Sequence, residues 1–79
     1  MIDEKQNDNE LILILQKRAK YFLDTQEFIH LSLKNGKFYN GTINKVGEDY
    51  LVVRDRVVGE VPVFFIELTY NGIEKYQME

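Results

Sequence analysis

The chain of 79 residues lacks several features that would point to particular classes of protein. It contains no cysteine, so no disulfide can staple the fold, and nothing suggests an oxidising compartment. The best candidate for a membrane segment, Leu11–Leu15, is only five residues long and is far too short to cross a bilayer. We expect no signal peptide before the domain, since the segment ahead of this run is acidic rather than basic. We therefore expect a cytoplasmic protein without a membrane partner.

The chain also lacks an excess of positive charge. It has 13 acidic and 10 basic residues, for a net charge of −3. Residues 1–10 contain four acids and one base and account for that whole charge, so the remaining 69 residues are neutral. A neutral body is not the basic surface that phosphate-binding domains usually have, but it is not acidic enough to exclude nucleic acid either. We expect no DNA partner. A single small core of this size is marginal alone, which favours oligomerisation.

The N-terminal third predicts a helix. We expect a mobile acidic tail over residues 1–7 and a helix over residues 8–24, since Asn7 and Glu10 have the spacing of a capping box. The apolar run Leu11–Leu15 is wider than one helical stripe, which favours a second covered surface on a neighbouring subunit. A β-strand is the competing interpretation of this run. The predicted apolar stripe consists of Leu15, Ala19, Phe22 and Leu23.

The rest of the chain, residues 26–76, predicts a barrel of five short strands. The strands are expected at residues 28–33, 37–46, 50–53, 61–66 and 73–76. Asn35-Gly36 predicts a type I′ turn between the first two strands, and Gly41 predicts a sharp bend inside the second. The fourth strand has apolar residues on both faces, which favours a subunit interface over coverage by its own helix and barrel alone.

The segment from Leu31 to Ile43, with its Asn-Gly turn, aromatic residues and bend glycine, resembles the first motif of the Sm-like (LSm) family, which includes bacterial Hfq. Residues 59–65 resemble divergent, phage-borne members. The resemblance implies one domain over residues 1–79 with a mainly β fold, an N-terminal helix and a strongly bent SH3-like (Sm-fold) barrel. It also implies a homo-oligomeric ring of roughly five to seven copies, in which the fourth strand pairs with the next subunit's fifth. The interface residues expected on this basis are Val61, Val63, Phe64, Phe65 and Ile73.

The residues with which Sm-like rings hold an RNA base are mostly missing. Aligned on Gly41, the positions of the family's base-reading Asp and Asn fall at Gly47 and Leu51, and no Arg-Gly pair follows the fourth strand. A base site needs a polar group for the base edge and a flat group for stacking. Only the flat group, Tyr50, is present. We therefore expect the family's usual uridine site to be absent.

A different single-stranded RNA site is one hypothesis for the third strand and its flanks. Cations interleaved with an aromatic side chain suit single strands, because each stacked base contributes about 1–3 kcal/mol. The competing interpretation is a solvated strand face whose cations are offset by neighbouring acids. The candidate RNA-binding residues are Lys45, Tyr50, Arg54 and Arg56.

Nothing in the sequence supports an enzyme, a cofactor or a metal site. His30 is the only histidine, it has no acid at ligand spacing, and it should share a strand face with Phe28 and Ser32. Three functions remain open. The first is a ring that binds RNA, the second an assembly or protein-interaction ring that has lost the RNA site, and the third a monomeric SH3-like adaptor.

Overall fold

A long helix precedes five antiparallel strands in the computed structural model, which describes residues 4–77. The elements are helix α1 (Glu4–Thr25) and strands β1 (Ile29–Leu33), β2 (Phe38–Val46), β3 (Tyr50–Asp55), β4 (Gly59–Phe64) and β5 (Leu68–Lys75). The strands form one sheet in the order β4-β3-β2-β1-β5. This confirms the predicted mainly β fold, a helix followed by five strands, and leaves β4 and β5 as the two edges of the sheet.

Helix α1 packs on the sheet through the predicted stripe. Leu15, Ala19 and Phe22 are buried, while Leu13 and Ile14 are about half exposed. The strand interpretation of the apolar run is therefore wrong. The helix also begins earlier than expected, at Glu4, since Glu, Lys and Gln are good helix formers and acids are favourable in a first turn. Of the predicted tail, residues 1–3 lie outside the described residues.

Gln26 ends the helix and ties it to the sheet. It has a positive φ of 57°, and its N–H donates to the Phe22 carbonyl at 2.9 Å, as in a left-handed C-cap. Its side-chain Nε2 donates to the Leu23 carbonyl at 2.8 Å and to the Ile43 carbonyl of β2 at 2.9 Å. One side chain therefore satisfies a helix-end carbonyl and a strand carbonyl together.

The turn between β1 and β2 differs from the predicted type I′. Gly36 has a φ of +89°, but Asn35 does not have positive φ, so the type I′ prediction is wrong. The Gly36 N–H donates to the Leu33 carbonyl, and the Leu33 N–H donates to the Lys37 carbonyl. This arrangement is a three-residue hairpin loop in which a glycine follows the turn. The Asn35 Oδ1 accepts the Lys37 N–H at 2.9 Å, so asparagine stabilises the turn through its side chain.

Strand β2 joins two halves of the sheet at Gly41. Residues 38–41 of β2 pair with β1, and residues 41–46 pair with β3. A Cβ on Gly41 would lie 1.8 Å from the Arg54 carbonyl oxygen, so only glycine permits this approach. The register shift falls between Ile43 and Lys45, which places the bulged residue at Asn44 rather than at Gly41. We call β1, β5 and residues 38–41 the β1 half, and β3, β4 and residues 41–46 the β3 half.

The last two strands have different bounds from those predicted. β4 ends at Phe64, and Phe65–Glu67 forms a 3₁₀ turn instead of continuing the strand to residue 66. β5 begins at Leu68, five residues before the predicted start. Leu33 pairs with Leu68 and Leu31 with Ile73, so residues 69–72 form a bulge where a turn was expected. β5 is paired with β1 on both sides of this bulge.

The core lies between α1 and the inner face of the sheet. Alternate residues of β1 and β3 point inwards, as the period of two predicts. Within residues 4–77, no helix has the length and apolar character needed to cross a membrane. The buried apolar residues are Leu15, Ala19, Phe22, Ile29, Leu31, Leu33, Ile43, Leu51, Val53, Val63, Phe65, Leu68 and Ile73.

Candidate functional site

Two of the four candidate RNA-binding residues lie together on the outer face of the β3 half. The Lys45 Nζ lies 5.7 Å from the centroid of the Tyr50 ring, a cation–π distance. Phe64, which pairs with Tyr50 across β3 and β4, packs edge-on against it with ring centroids 6.4 Å apart. These three residues form a cationic, aromatic group at the β4 end of the sheet, which we call the Tyr50 cluster.

Gly47 supports the Tyr50 ring. A Cβ at this position would lie 2.3 Å from the ring, so the ring fits only over a glycine. The Gly47 N–H donates to the Tyr50 carbonyl at 2.8 Å, and the Gln16 side chain of α1 donates to the Gly47 carbonyl at 3.0 Å. Leu51, the other position aligned with a base-reading residue, is fully buried. Neither position presents a polar side chain to a base.

Arg54 lies on the same outer face but is paired with an acid. Its Nη2 lies 3.3 Å from the Glu60 Oε2, and the Asn44 amide donates to the same oxygen at 2.7 Å. The partner follows from strand register, because Glu60 is directly opposite Arg54 in the β3–β4 hairpin. The sequence alone did not indicate this partner, because it depends on the hairpin register. The pairing offsets one of the expected cations.

Arg56 belongs to a different part of the surface. Its Cζ lies 5.6 Å from the centroid of the Tyr76 ring, and Tyr76 packs edge-on against Phe28 with centroids 5.3 Å apart. Phe28 precedes β1 and Tyr76 follows β5, so both aromatic residues flank strands of the β1 half. The four predicted RNA-binding residues are therefore not one patch, and Arg56 lies against Tyr76 instead of Tyr50.

Asp55 orders the turn that carries Arg56. Its carboxylate accepts the backbone N–H groups of Asn40 at 2.8 Å, Val57 at 2.8 Å and Val58 at 3.0 Å. The hydrogen bond from Val58, followed by that from Asn40, holds the pKa of Asp55 below its usual range. Asp55 is buried. Because its carboxylate accepts hydrogen bonds from both the β3–β4 turn and Asn40, it fixes this turn to the β1 half.

His30 lies beside Tyr76 on the outer face of the β1 half. It is half-buried, as is Ser32, which fits the predicted shared face. Its Nδ1 lies 2.5 Å from the Asn40 Oδ1, and its ring is 5.4 Å from that of Phe38. Within the described part of the chain, no group of three or more metal-ligating side chains comes together.

The predicted interface residues divide between core and surface. Val63, Phe65 and Ile73 are buried in their own subunit, and Val61 is half-buried. Phe64 is 51% exposed, and its neighbour Ile66 in the 3₁₀ turn is 55% exposed. The side chains that could contact a neighbour through this edge are therefore those of Phe64 and Ile66.

The opposite edge, β5, has a cavity on each side. The outer cavity has a volume of about 240 Å³, and its lining includes His30, Glu74 and Tyr76. The inner cavity, of about 340 Å³, is lined mainly by residues of α1 and β5, among them Arg18, Tyr21, Phe22, Ile73 and Lys75.

Charged side chains hold the inner side of β5. The Arg18 guanidinium donates to the Ile73 carbonyl at 3.4 Å. The Lys75 Nζ lies 3.2 Å from the Glu27 Oε1, and this hydrogen bond holds the pKa of the Glu27 carboxyl below its usual range.

Comparison with models of known protein families, with characterised proteins and with solved structures finds no match to this chain.

Proposed function

We propose that this chain is a divergent Sm-like subunit that assembles into a homo-oligomeric ring and binds single-stranded RNA. The observation that carries the proposal is the pair of unequal edges of one short sheet. β4 is an edge with exposed apolar side chains, and β5 is an edge with cavities on both of its sides.

Strand edges with unpaired backbone groups favour pairing with another strand. The β4 and β5 edges differ in sequence and shape. Pairing of β4 in one copy with β5 in the next is therefore a head-to-tail contact, which differs from a contact between two β4 strands. Such a head-to-tail contact repeats until the rotation closes, which gives a cyclic oligomer. The exposed apolar residues of α1, Leu13 and Ile14, add surface for the same assembly.

Side-chain alternation supports a specific fit between the edges. Tyr50, Pro62 and Phe64 occupy the outer face of the β3 half, since their neighbours in the strands point into the core. A strand added to β5 continues the sheet, so its outer residues lie on the side of the outer cavity. Phe64, which is 51% exposed, then lies on the outer side of the junction and adds apolar contact area there.

Native mass spectrometry tests the ring. We expect a closed oligomer of roughly five to seven copies for the wild type and a shift towards monomer for the Phe64→Ser, Ile66→Ser double variant. The matched control is Val57→Ser with Val58→Ser, which removes exposed apolar surface from the β3–β4 turn instead of the edge. A wild-type monomer at micromolar concentration would reject the ring and favour the SH3-like adaptor.

The Tyr50 cluster supports single-stranded RNA as the ligand. A base stacked on Tyr50 would displace or adjoin the Lys45 ammonium, which then contacts the neighbouring phosphate. A ring repeats this weak site in each subunit and adds avidity. Fluorescence anisotropy with a labelled oligo(U) at low salt should give binding that weakens in Tyr50→Ala and as salt rises. A flat titration of the wild type would reject RNA binding.

The second candidate is an assembly ring without RNA. It is favoured by the ion pair between Arg54 and Glu60, which neutralises a cation on the outer face. The oligomeric state and oligonucleotide binding, measured together, distinguish the two candidates. A closed ring that binds no oligonucleotide at low salt supports the assembly role, whereas ring-dependent binding lost in Tyr50→Ala rejects it.

A further inference from the structure

We propose that the outer cavity of the β1 half binds a nucleobase that carries hydrogen-bond donors, with guanine as the best fit. This inference rests on the proposed binding of single-stranded RNA and assigns a base-selective site away from the Tyr50 cluster. Three features of the cavity carry it: its hydrogen-bond acceptors, its stacking groups and its size.

The first acceptor is the imidazole of His30. Its Nδ1 faces the Asn40 Oδ1, and an amide oxygen can only accept, so Nδ1 carries the proton. In an imidazole with a single proton, held on Nδ1 in this way, the lone pair lies on Nε2. Among residues 4–77, no side chain or backbone group bonds to that nitrogen. His30 is therefore held in one tautomer, with an acceptor left over in a residue that lines the cavity.

The second acceptor is the carboxylate of Glu74, which is directly opposite His30 in the β1–β5 pairing. Within the described residues, Glu74 forms no ion pair: Lys75, which also lines the cavity, lies 3.2 Å from the Glu27 carboxylate instead. A carboxylate accepts two parallel hydrogen bonds. Guanine presents two adjacent donors, N1–H and the N2 amino group, on its Watson–Crick edge. Uracil presents one N–H between two carbonyls and would leave a carboxylate oxygen against a carbonyl oxygen.

Stacking groups surround these acceptors. Tyr76 lines the cavity, is braced edge-on by Phe28 and lies under the Arg56 guanidinium. Single-stranded nucleic acids are bound by such aromatic and guanidinium surfaces. The Arg56 guanidinium over Tyr76 is a cation that a phosphate next to the bound base could contact.

The size of the cavity selects a small planar ligand. Its volume of about 240 Å³ is below the range of about 300–1,000 Å³ that is typical of pockets for drug-sized ligands. A single base enters a space of this size, and the rest of the strand stays outside. The cavity lies beside the β5 edge, so in a ring each subunit junction would present one such site.

The test compares two fluorescein-labelled oligonucleotides of about twelve nucleotides, oligo(U) and a repeat of UUG, by anisotropy at low salt. We expect the wild type to bind the UUG repeat at least about fivefold more tightly than oligo(U). Glu74→Gln should abolish this preference, because an amide presents only one acceptor, while its affinity for oligo(U) stays unchanged. Tyr76→Leu should lower the affinity for the UUG repeat at least about fivefold.

The matched control is Tyr50→Leu. This variant should lower the affinity for both oligonucleotides by the same factor and keep the preference for guanine. Native mass spectrometry of each variant separates loss of the site from loss of assembly. Binding of both oligonucleotides with equal affinity, or a guanine preference that survives in Glu74→Gln, would overturn this inference and leave RNA binding intact. Failure of the wild type to bind either oligonucleotide would instead overturn the proposed RNA function and this site with it.

Discussion

The two halves of the sheet are built differently although they share strand β2. In the β3 half, β3 and β4 pair without a register shift from Tyr50 opposite Phe64 to Asp55 opposite Gly59, and the edge carries exposed apolar side chains. In the β1 half, the pairing of β1 with β5 is interrupted by a bulge of residues 69–72, and the edge is flanked by two cavities.

The proposed assembly and the proposed ligand site therefore use different halves of one small sheet. A regular hairpin holds its edge in one geometry, which suits repeated pairing between subunits. The cavity bordered by His30 and Tyr76 lies beyond the bulge, where β5 pairs regularly with β1 and the chain continues past the strand end. Four sets of substitutions separate the contributions of the two halves to stability. They range from Gly41, the joint between the halves, to single pairs of surface residues.

The largest effect is expected at the joint. In Gly41→Ala the new Cβ meets the Arg54 carbonyl oxygen, a backbone atom that cannot move without separating β2 from β3. We expect a loss of about 3 kcal/mol or more in the free energy of unfolding, measured by urea denaturation. The control Gly36→Ala adds the same methyl where there is open space and should cost about 1–2 kcal/mol through its positive φ alone. An equal cost at both positions would contradict the close approach.

The next effect concerns Asp55, which links the β3–β4 turn to the β1 half. Asp55→Ala leaves three backbone N–H groups without their acceptor, and we expect a loss of about 2 kcal/mol, against almost none for the exposed Asp49→Ala. The pKa of Asp55 is lowered in the folded state, so its stabilisation is complete above the ordinary value of 3.8. It is lost as the pH falls through the lower, folded pKa. The stability gap to Asp55→Ala should thus be constant near neutral pH and narrow below pH 3.8, and a gap that widened on acidification would contradict this assignment.

A smaller effect should separate strain from hydrogen bonding at Gln26, which attaches α1 to the β3 half. Gln26→Ala loses both side-chain hydrogen bonds and keeps the positive φ, whereas Gln26→Gly loses the bonds but relieves the backbone. We expect Gln26→Ala to be destabilised by about 1–2 kcal/mol and Gln26→Gly to recover about 1 kcal/mol of that loss, by thermal or urea unfolding. If glycine is no more stable than alanine here, backbone strain at Gln26 is not significant.

The smallest effects compare one arginine from each surface. Arg54→Ala removes an exposed ion pair with Glu60 and should change the stability by less than about 0.5 kcal/mol. Arg56→Ala removes a guanidinium stacked on Tyr76 and should cost about 0.5–1 kcal/mol. A double-mutant cycle for each pair measures the two coupling energies directly. A larger coupling for Arg54 with Glu60 would reverse the order proposed here.

Much of the fold could be predicted because its signals are local. The stripe of α1 and the alternation of β1 follow from periods of 3.6 and 2, and both are confirmed by burial. The turn at Asn35-Gly36 was placed correctly, but its type was not, because the asparagine contributes its side chain and not a positive φ. The long bulge in β5 could not be predicted, since whether a turn sequence reverses a strand or bulges from it depends on what that strand pairs with.

The candidate site was less predictable than the fold. The four candidate RNA-binding residues are close together in the sequence, but the structure gives the three cations different partners. These partners are Tyr50 for Lys45, Glu60 for Arg54 and Tyr76 for Arg56. The pairing of Glu60 with Arg54 requires the register of a hairpin. The neighbourhood of Arg56 and Tyr76 requires residues far apart in the chain to meet across the sheet.

The sequence by itself determined the order of helix and strands, the neutral charge of the body and the need for glycine inside β2, since these depend on neighbouring residues and composition. Only the tertiary structure decided that Gly41 joins two halves through contact with the Arg54 carbonyl, and that His30, Glu74 and Tyr76 surround one cavity. The physical reason is that these contacts join residues from separate strands. Their distances are set by strand pairing and bulges, which no single segment of the chain encodes.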